Sequence, residues 1–157
     1  MVPSVRVAQP HDLGTVTRLM AGFRDHLGLS APSDAEVGSG VERLLADPDT
    51  EFLLAAAEDG AEPAGVAQLR FRYGIWRAGG DCLLEDLFVD ERARGAGLGR
   101  ALVAATLERA RARGCRRVEL DVNEANATAQ RLYESFGFSA TANPYGARDL
   151  YMRLHID

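Results

Sequence analysis

Apolar positions along the chain alternate between helical and strand-like spacing. Val5 and Val7 predict a short first strand, ended by Gln9-Pro10. Leu13, Val16, Leu19, Met20 and Phe23 fall on one helical face, predicting a helix capped by Asp12 and running to about His26. After a loop from Gly28 to Ser33, Val41, Leu44 and Leu45 predict a second helix from Ala35 to Ala46, which Gly38 and Gly40 weaken. Phe52 to Ala57 is a predicted strand, Glu58 to Pro63 its turn, and Ala64 to Tyr73 the returning strand. A loop from Gly74 to Asp81 holds the one tryptophan, Trp76, and Cys82 to Val89 completes a meander. That third strand is interrupted by two acids, Glu85 and Asp86.

Downstream, Leu102, Val103, Thr106, Leu107 and Ala110 form the buried stripe of a helix that begins near Leu98 and stops at Gly114. A strand from Val118 to Val122 follows, then a helix from about Ala125 to Phe136 ended by Gly137. Phe138 to Ala142 and Leu150 to Ile156 are expected as a closing pair of strands. The order predicts an α/β (α+β) fold: one mixed, mostly antiparallel sheet of six to seven strands with about four helices on its faces.

Composition narrows the function. The 157 residues make one domain with room for a core, and 46% apolar with 26% charged residues is ordinary for a globular chain. A net charge of −5 argues against broad neutralisation of nucleic-acid phosphates. Arginines nevertheless gather from Arg92 to Arg117, either as a field for a polyanion or as a solvated helix face. Cys82 and Cys115 have no partner at metal spacing, no site for a metal is indicated, and both are expected to pack rather than react. His11, His26 and His155 are isolated. With no signal stretch and no spanning apolar run, a cytoplasmic location and no membrane partner are expected.

The most specific signal is the run Arg94-Gly95-Ala96-Gly97-Leu98-Gly99-Arg100 between the third meander strand and a helix. Glycines let a backbone approach phosphates, and the first N–H groups of a helix have no partner within it. A Walker loop would require Lys-Ser/Thr after Gly99, where Arg100-Ala101 stands. The dinucleotide fingerprint fails at its sixth position, which is Arg100. The pattern Arg/Gln-x-x-Gly-x-Gly/Ala is satisfied by Arg94, Gly97 and Gly99.

With that motif the chain resembles the GNAT N-acetyltransferase superfamily. A second likeness is Asn126-x-x-Ala129-x-x-Leu132-Tyr133-x-x-x-Gly137-Phe138, which is similar to the later cofactor-binding segment of that family. Leu84-Glu85-Asp86-Leu87-Phe88-Val89, preceded by Tyr73 and Trp76, resembles the diamine (spermidine/spermine-type) acetyltransferase branch. The resemblance implies acetyl-CoA as acyl donor, a small-molecule amine as acceptor, and a homodimer. It also implies a bulge in the acid-bearing strand, without which Glu85 and Asp86 would face opposite sides.

Roles follow from that resemblance. Glu85 is expected to take the acceptor's proton, directly or through water, and Asp86 to attract a second positive charge on the substrate or to orient its neighbour. Tyr133 is expected to donate toward the leaving thiolate. Backbone groups of Leu87, Phe88 and Val89 are expected to pair with pantetheine, N–H groups from Gly95 to Arg100 to hold pyrophosphate, and Asn126 to bond pantetheine further along. Tyr73 and Trp76 form an apolar wall for the substrate or else cover the core. Other acceptors left open are protein N-termini, amino acids and aminoglycosides, and a non-catalytic acyl-CoA-binding regulator is the reading from another class.

Overall fold

The computed structural model describes residues 2–157. The chain divides into two compact units, Met1–Leu120 and Asp121–Asp157. The first contains strands β1 (Ser4–Val7), β2 (Thr50–Ala56), β3 (Gly65–Gly74), β4 (Gly79–Val89) and β5 (Cys115–Glu119), and helices α1 (Leu13–His26), α2 (Asp34–Leu45) and α3 (Leu98–Ala112). The second contains α4 (Ala127–Ser135).

The sheet order is β1-β2-β3-β4-β5, antiparallel up to β4 and parallel between β4 and β5. Its two faces separate by residue parity. Phe52, Leu54, Val66 and Phe88 point to the side where Val16 and Leu19 of α1 and Val41 of α2 close a core. On the other side α3 buries Leu98, Leu102, Val103, Thr106 and Ala110, and Leu102 lies 3.2 Å from where a Cβ on Gly65 would sit. Burial of these aliphatic stripes supplies the main driving force, about 25 cal/mol per Å² of apolar surface removed from water.

Several expectations are corrected. Among the described residues the sheet has five strands rather than six or seven. Phe138–Ala142 and Leu150–Ile156 form no ladder among the described residues. Alternation fixes which side chains share a face but provides no partner strand, and Leu150, Met152, Leu154 and Ile156 remain 74–91% exposed. The expected Gly74–Asp81 loop is shortened to the four-residue turn 75–78, because Gly74, Gly79 and Gly80 permit the close approach that extends β3 and β4. A Cβ on Gly74 would lie 2.5 Å from the Asp81 carboxylate, and one on Gly80 3.1 Å from Cys115 Sγ. The strand expected at Val118–Val122 sits earlier, at Cys115–Glu119, beginning directly after Gly114, whose φ is 74°.

Asp12 also differs from its expected role. Its carboxylate makes no cap for α1; it accepts two bonds from Arg6, at 2.7 and 2.8 Å, and one from the Gln9 N–H. The Arg6 hydrogen bonds hold its carboxyl far below the ordinary carboxylate range. Helix α2 begins with a capping box, in which Ser33 accepts from the Glu36 N–H and Glu36 from the Ser33 N–H.

Candidate active site

β3 and β4 are in register with Gln68 opposite Asp86, and then with Leu69 opposite Leu84. Glu85 is the extra residue, so β4 carries a bulge there. One residue inserted into a period-two pattern keeps two successive side chains on one face. Leu84 pairs with Leu69 on the α3 side, while Glu85 and Asp86 both belong to the α1/α2 side. Phe52, Gln68 and Asp86 form a cross-strand row on that face, with Gln68 only 4% exposed. Glu85 meets Arg70 at 3.3 Å, an ion pair with both side chains about two-fifths exposed.

Asp86 and Gln68 line a cavity of about 300 Å³ between this row and helices α1 and α2. Its walls include Met20, Phe23, Val37, Leu44 and Phe52. Two charged residues of the helices also line it. Arg24 is bound to Asp34 at 2.8 Å, Asp25 at 2.9 Å and the Pro32 carbonyl at 2.9 Å, and Glu36 is held by the capping box, whose Ser33 N–H keeps its carboxyl below the usual value.

The opposite edge of β4 has a different character. The parallel ladder with β5 runs only from Gly80 to Leu83. Beyond it, the Asp90 N–H bonds the Ala64 carbonyl at 2.8 Å, which fixes the phase of the β3–β4 ladder. In that phase the backbone groups of Phe88 point to β3, whereas those of Leu87 and Val89 point away from it, toward the edge that β5 has left. Phe88 itself is buried, with its ring stacked on Phe23 at 5.3 Å.

After β4, a single 3-10 turn at Glu91–Ala93 leads into the glycine bend. Gly95 and Gly97 have φ of 85° and 83°, and Gly97 is the N-cap of α3. The first intrahelical bond runs from Ala101 N–H to the Gly97 carbonyl, so the N–H groups of Leu98, Gly99 and Arg100 precede the ladder of α3. A Cβ on Gly95 would meet nothing within 4 Å, and one on Gly97 only Pro3 at 3.9 Å. Ala96 lies between these two glycines. These main-chain donors, the positive end of a helix dipole and the glycine surface suit a phosphate group. Arg94 donates from Nε to the Val89 carbonyl at 3.1 Å and lies 3.5 Å from the His26 ring nitrogens, tying the bend to the end of β4.

The chain belongs to the acetyltransferase (GNAT) family. Residues 21–138 match the family model described as Acetyltransferase (GNAT) family. It is 29% identical over 158 residues to the aminoglycoside N(6')-acetyltransferase type 1 of Stenotrophomonas maltophilia, covering 99% of this chain and 95% of that one. A crystal structure from Arthrobacter sp. FB24, described as that of an acetyltransferase, superposes with a TM-score of 0.85 at 34% identity, over 98% of this chain and 96% of that one. A local match of 51 residues, 57% identical, relates 32% of this chain to 17% of the mycothiol acetyltransferase of Thermobispora bispora. The chain is therefore an N-acetyltransferase of a family whose enzymes use acetyl-CoA and act on amines.

In the second unit, Asn126 caps α4, its Oδ1 accepting from the Ala129 N–H at 3.1 Å. The amide nitrogen of Asn126 is a double donor that this cap does not use. The Tyr133 ring packs edge-on against Phe138 at 6.1 Å. Burial pushes the Tyr133 phenol above its ordinary value and the Asp121 carboxylate adds to the shift, so it stays protonated at neutral pH.

Some expected site residues stand apart from the cavity. Tyr73 and Trp76 are 73% and 93% exposed at the tip of the β3–β4 hairpin and cover no core. Six residues of strand separate that tip from the Gln68–Asp86 pair, about 20 Å. Three arginines of the cluster are paired with acids of the sheet: Arg109 and Arg113 with Glu51 at 2.7 and 3.2 Å, and Arg117 with Asp81 at 2.8 Å. Cys82 is buried, and desolvation pushes its thiol up to about 12, so it carries no thiolate at neutral pH; burial raises Cys115 as well. Sequence reasoning missed Gln68, Glu36 and the α1–α2 walls, although the Ser33/Glu36 capping box was a readable signal. Among the described residues no helix is long and apolar enough to cross a membrane, and no cluster of residues could hold a metal.

Proposed function

We propose that the protein transfers an acetyl group from acetyl-CoA to the primary amine of a small molecule, by direct attack within a ternary complex. The observation that carries this reading is the bulge at Glu85, which gives two adjacent acids to the face lining the cavity while Leu87 and Val89 turn their backbone groups to the other edge of β4.

The coenzyme supplies a thioester carbonyl. The chain supplies the rest. Leu87 and Val89 would pair with the pantetheine arm like an added strand, beside Phe88, and the donors from Gly95 to Arg100 would hold the pyrophosphate. An alkylammonium with a pKa of about 10.4 costs roughly 4–5 kcal/mol to deprotonate at pH 7. Asp86 would attract that cation and Glu85 would accept its proton, directly or through water. Tyr133 would donate to the departing sulfur. A phenol of pKa about 10 facing a thiol of about 8.5 is already uphill by roughly 2 kcal/mol, and burial of Tyr133 adds to that. Hydrogen bonding to the developing thiolate, rather than complete proton transfer, therefore supplies its contribution.

The Cys82 and Cys115 thiols, both held protonated, favour direct transfer over an acyl-enzyme. Rapid mixing of enzyme with acetyl-CoA tests this: free thiol is expected only after an amine is added. A burst of one thiol per enzyme without amine would refute direct transfer, and no release with any amine would refute the activity. A di- or polyamine acceptor, as the Leu84–Val89 likeness implies, draws its support from the acid pair.

A further inference from the structure

Among the described residues, six with polar or charged side chains are buried: Asp12, Thr50, Glu51, Gln68, Asp81 and Thr106. Burial of such a group is costly unless it is hydrogen-bonded. Five of the six are. Asp12 accepts from Arg6, Glu51 from Arg109 and Asp81 from Arg117. The Thr50 hydroxyl donates to Asp47 at 3.1 Å, and that of Thr106 to the Leu102 carbonyl at 2.8 Å. Gln68 is the exception. It is 4% exposed, and its side-chain amide has no hydrogen-bond partner among the described residues. The amide is not sealed in the core, because Gln68 lines the cavity of about 300 Å³ between the sheet and helices α1 and α2.

The charged groups around Gln68 are already engaged. Arg24 is bound by Asp25 and Asp34, and Glu36 closes the capping box of α2. Asp86, opposite Gln68, has a partner within the chain. Glu85 shares the face of Asp86 but is not part of the cavity lining, and it pairs with Arg70 at 3.3 Å. The side-chain group left for a ligand is therefore a neutral amide, with Nε2–H to donate and Oε1 to accept. From this arrangement we infer that Gln68 determines acceptor specificity in the proposed acetyl transfer, on which this reading rests. It holds a neutral hydroxyl or carboxamide carried close to the acceptor's amine. Such a group both donates and accepts, so it satisfies both atoms of the Gln68 amide. A plain alkylamine would leave that amide unpaired in the desolvated complex, and a site built for a polar group rejects the analogue lacking it. A carboxylate could take the Nε2–H bond, but the like charges of Glu36, Glu85 and Asp86 oppose it. Cross-strand neighbours stand about 5 Å apart, and Asp86 directly follows Glu85, the proposed base. One small molecule can therefore reach Gln68 with its neutral group and Glu85 with its amine.

Gln68→Met keeps the length of the side chain and removes the amide. No hydrogen bond within the protein is lost, so the urea midpoint of the variant is expected to hold or rise. A residue kept for structure would behave in the opposite way.

The experiment measures thiol release from acetyl-CoA with isopentylamine, leucinol, leucinamide and leucine. These carry hydrogen, hydroxymethyl, carboxamide and carboxylate, respectively, on the carbon that bears the amine. The wild type is expected to show a kcat/KM at least tenfold higher for leucinol or leucinamide than for isopentylamine, with leucine the poorest. Gln68→Met is expected to bring that preference to within twofold of unity, while the KM for acetyl-CoA stays within twofold. Amine basicity varies along the series but is the same for both enzymes, so the change in preference reports on Gln68 alone. Equal use of isopentylamine by the wild type, a preference that Gln68→Met leaves in place, or a lowered urea midpoint overturns the role of Gln68 and leaves acetyl transfer standing. So does thiol release with other amines but none of these four. Absence of release with every amine tried, with acetyl-CoA still bound, overturns both.

Discussion

Replacing Gly97 by alanine separates backbone conformation from contact. The residue caps α3 with φ of 83° and ψ of 12°, and a new Cβ would meet only Pro3 Cγ at 3.9 Å. No clash arises, so the cost is that of holding an L-residue in the left-handed region, roughly 1–2 kcal/mol. Alanine also stiffens the unfolded chain, which returns about 0.4–1 kcal/mol. A net destabilisation of about 1 kcal/mol is expected. Gly14→Ala provides the contrast. It lies in α1, outside the positive-φ glycines, and its built Cβ also meets nothing within 4 Å, so the helix propensity of alanine is expected to stabilise by up to about 1 kcal/mol. Urea unfolding reads both changes, and calorimetry reads acetyl-CoA binding. Gly97→Ala is expected to weaken that binding at least tenfold, because its methyl group lies beside the N–H donors, while Gly14→Ala leaves it unchanged. Equal shifts in stability for the two variants, or an unaltered acetyl-CoA affinity for Gly97→Ala, would refute the reasoning.

Other expectations concern single side chains. Tyr133→Phe removes one donor to the leaving group and should lower kcat by about 10²–10³ with the acetyl-CoA affinity little changed; an unaltered kcat in steady-state assays would remove this role. Glu85→Gln should lower the rate about a hundredfold at pH 7 and recover it as pH rises toward the pKa of the amine. A pH–rate profile parallel to that of the wild type would assign the base elsewhere. Because Arg6 depresses the folded-state pKa of Asp12, its contribution is complete above the unfolded value of about 3.9 and is lost as pH falls through the folded value. Asp12→Asn should therefore cost about 1.5–3 kcal/mol at pH 7 and show a flatter decline in stability below pH 4 in acid denaturation; a decline identical to the wild type would contradict the Arg6 pairing.

The elements with strong local signals were legible in the sequence. The stripe from Leu102 to Ala110 and the stop at Gly114 place α3, and Arg94–Arg100 places the bend before it, because both depend on residues close in sequence. Features fixed by distant partners were less legible. Gly79 and Gly80 signal a turn locally, yet the structure places them in β4, where their missing side chains admit Arg116 and Cys115. Asp12 has the sequence position of a cap but bonds Arg6 across six residues. The alternation of Leu150, Met152, Leu154 and Ile156 describes a strand and cannot name its partner. The acid pair was visible as chemistry, while the bulge that puts both acids on one face was expected only through the family resemblance, because it is a property of the β3–β4 register. The cavity lining comes from α1, α2, β2, β3 and β4, and no local pattern brings these five elements together.

Amide hydrogen exchange with and without coenzyme A tests the placement of the donor most directly. The account predicts new protection at Leu87 and Val89 and from Gly95 to Arg100, with the interior of β2 unchanged. Protection confined to other segments, or none at saturating coenzyme, would contradict it.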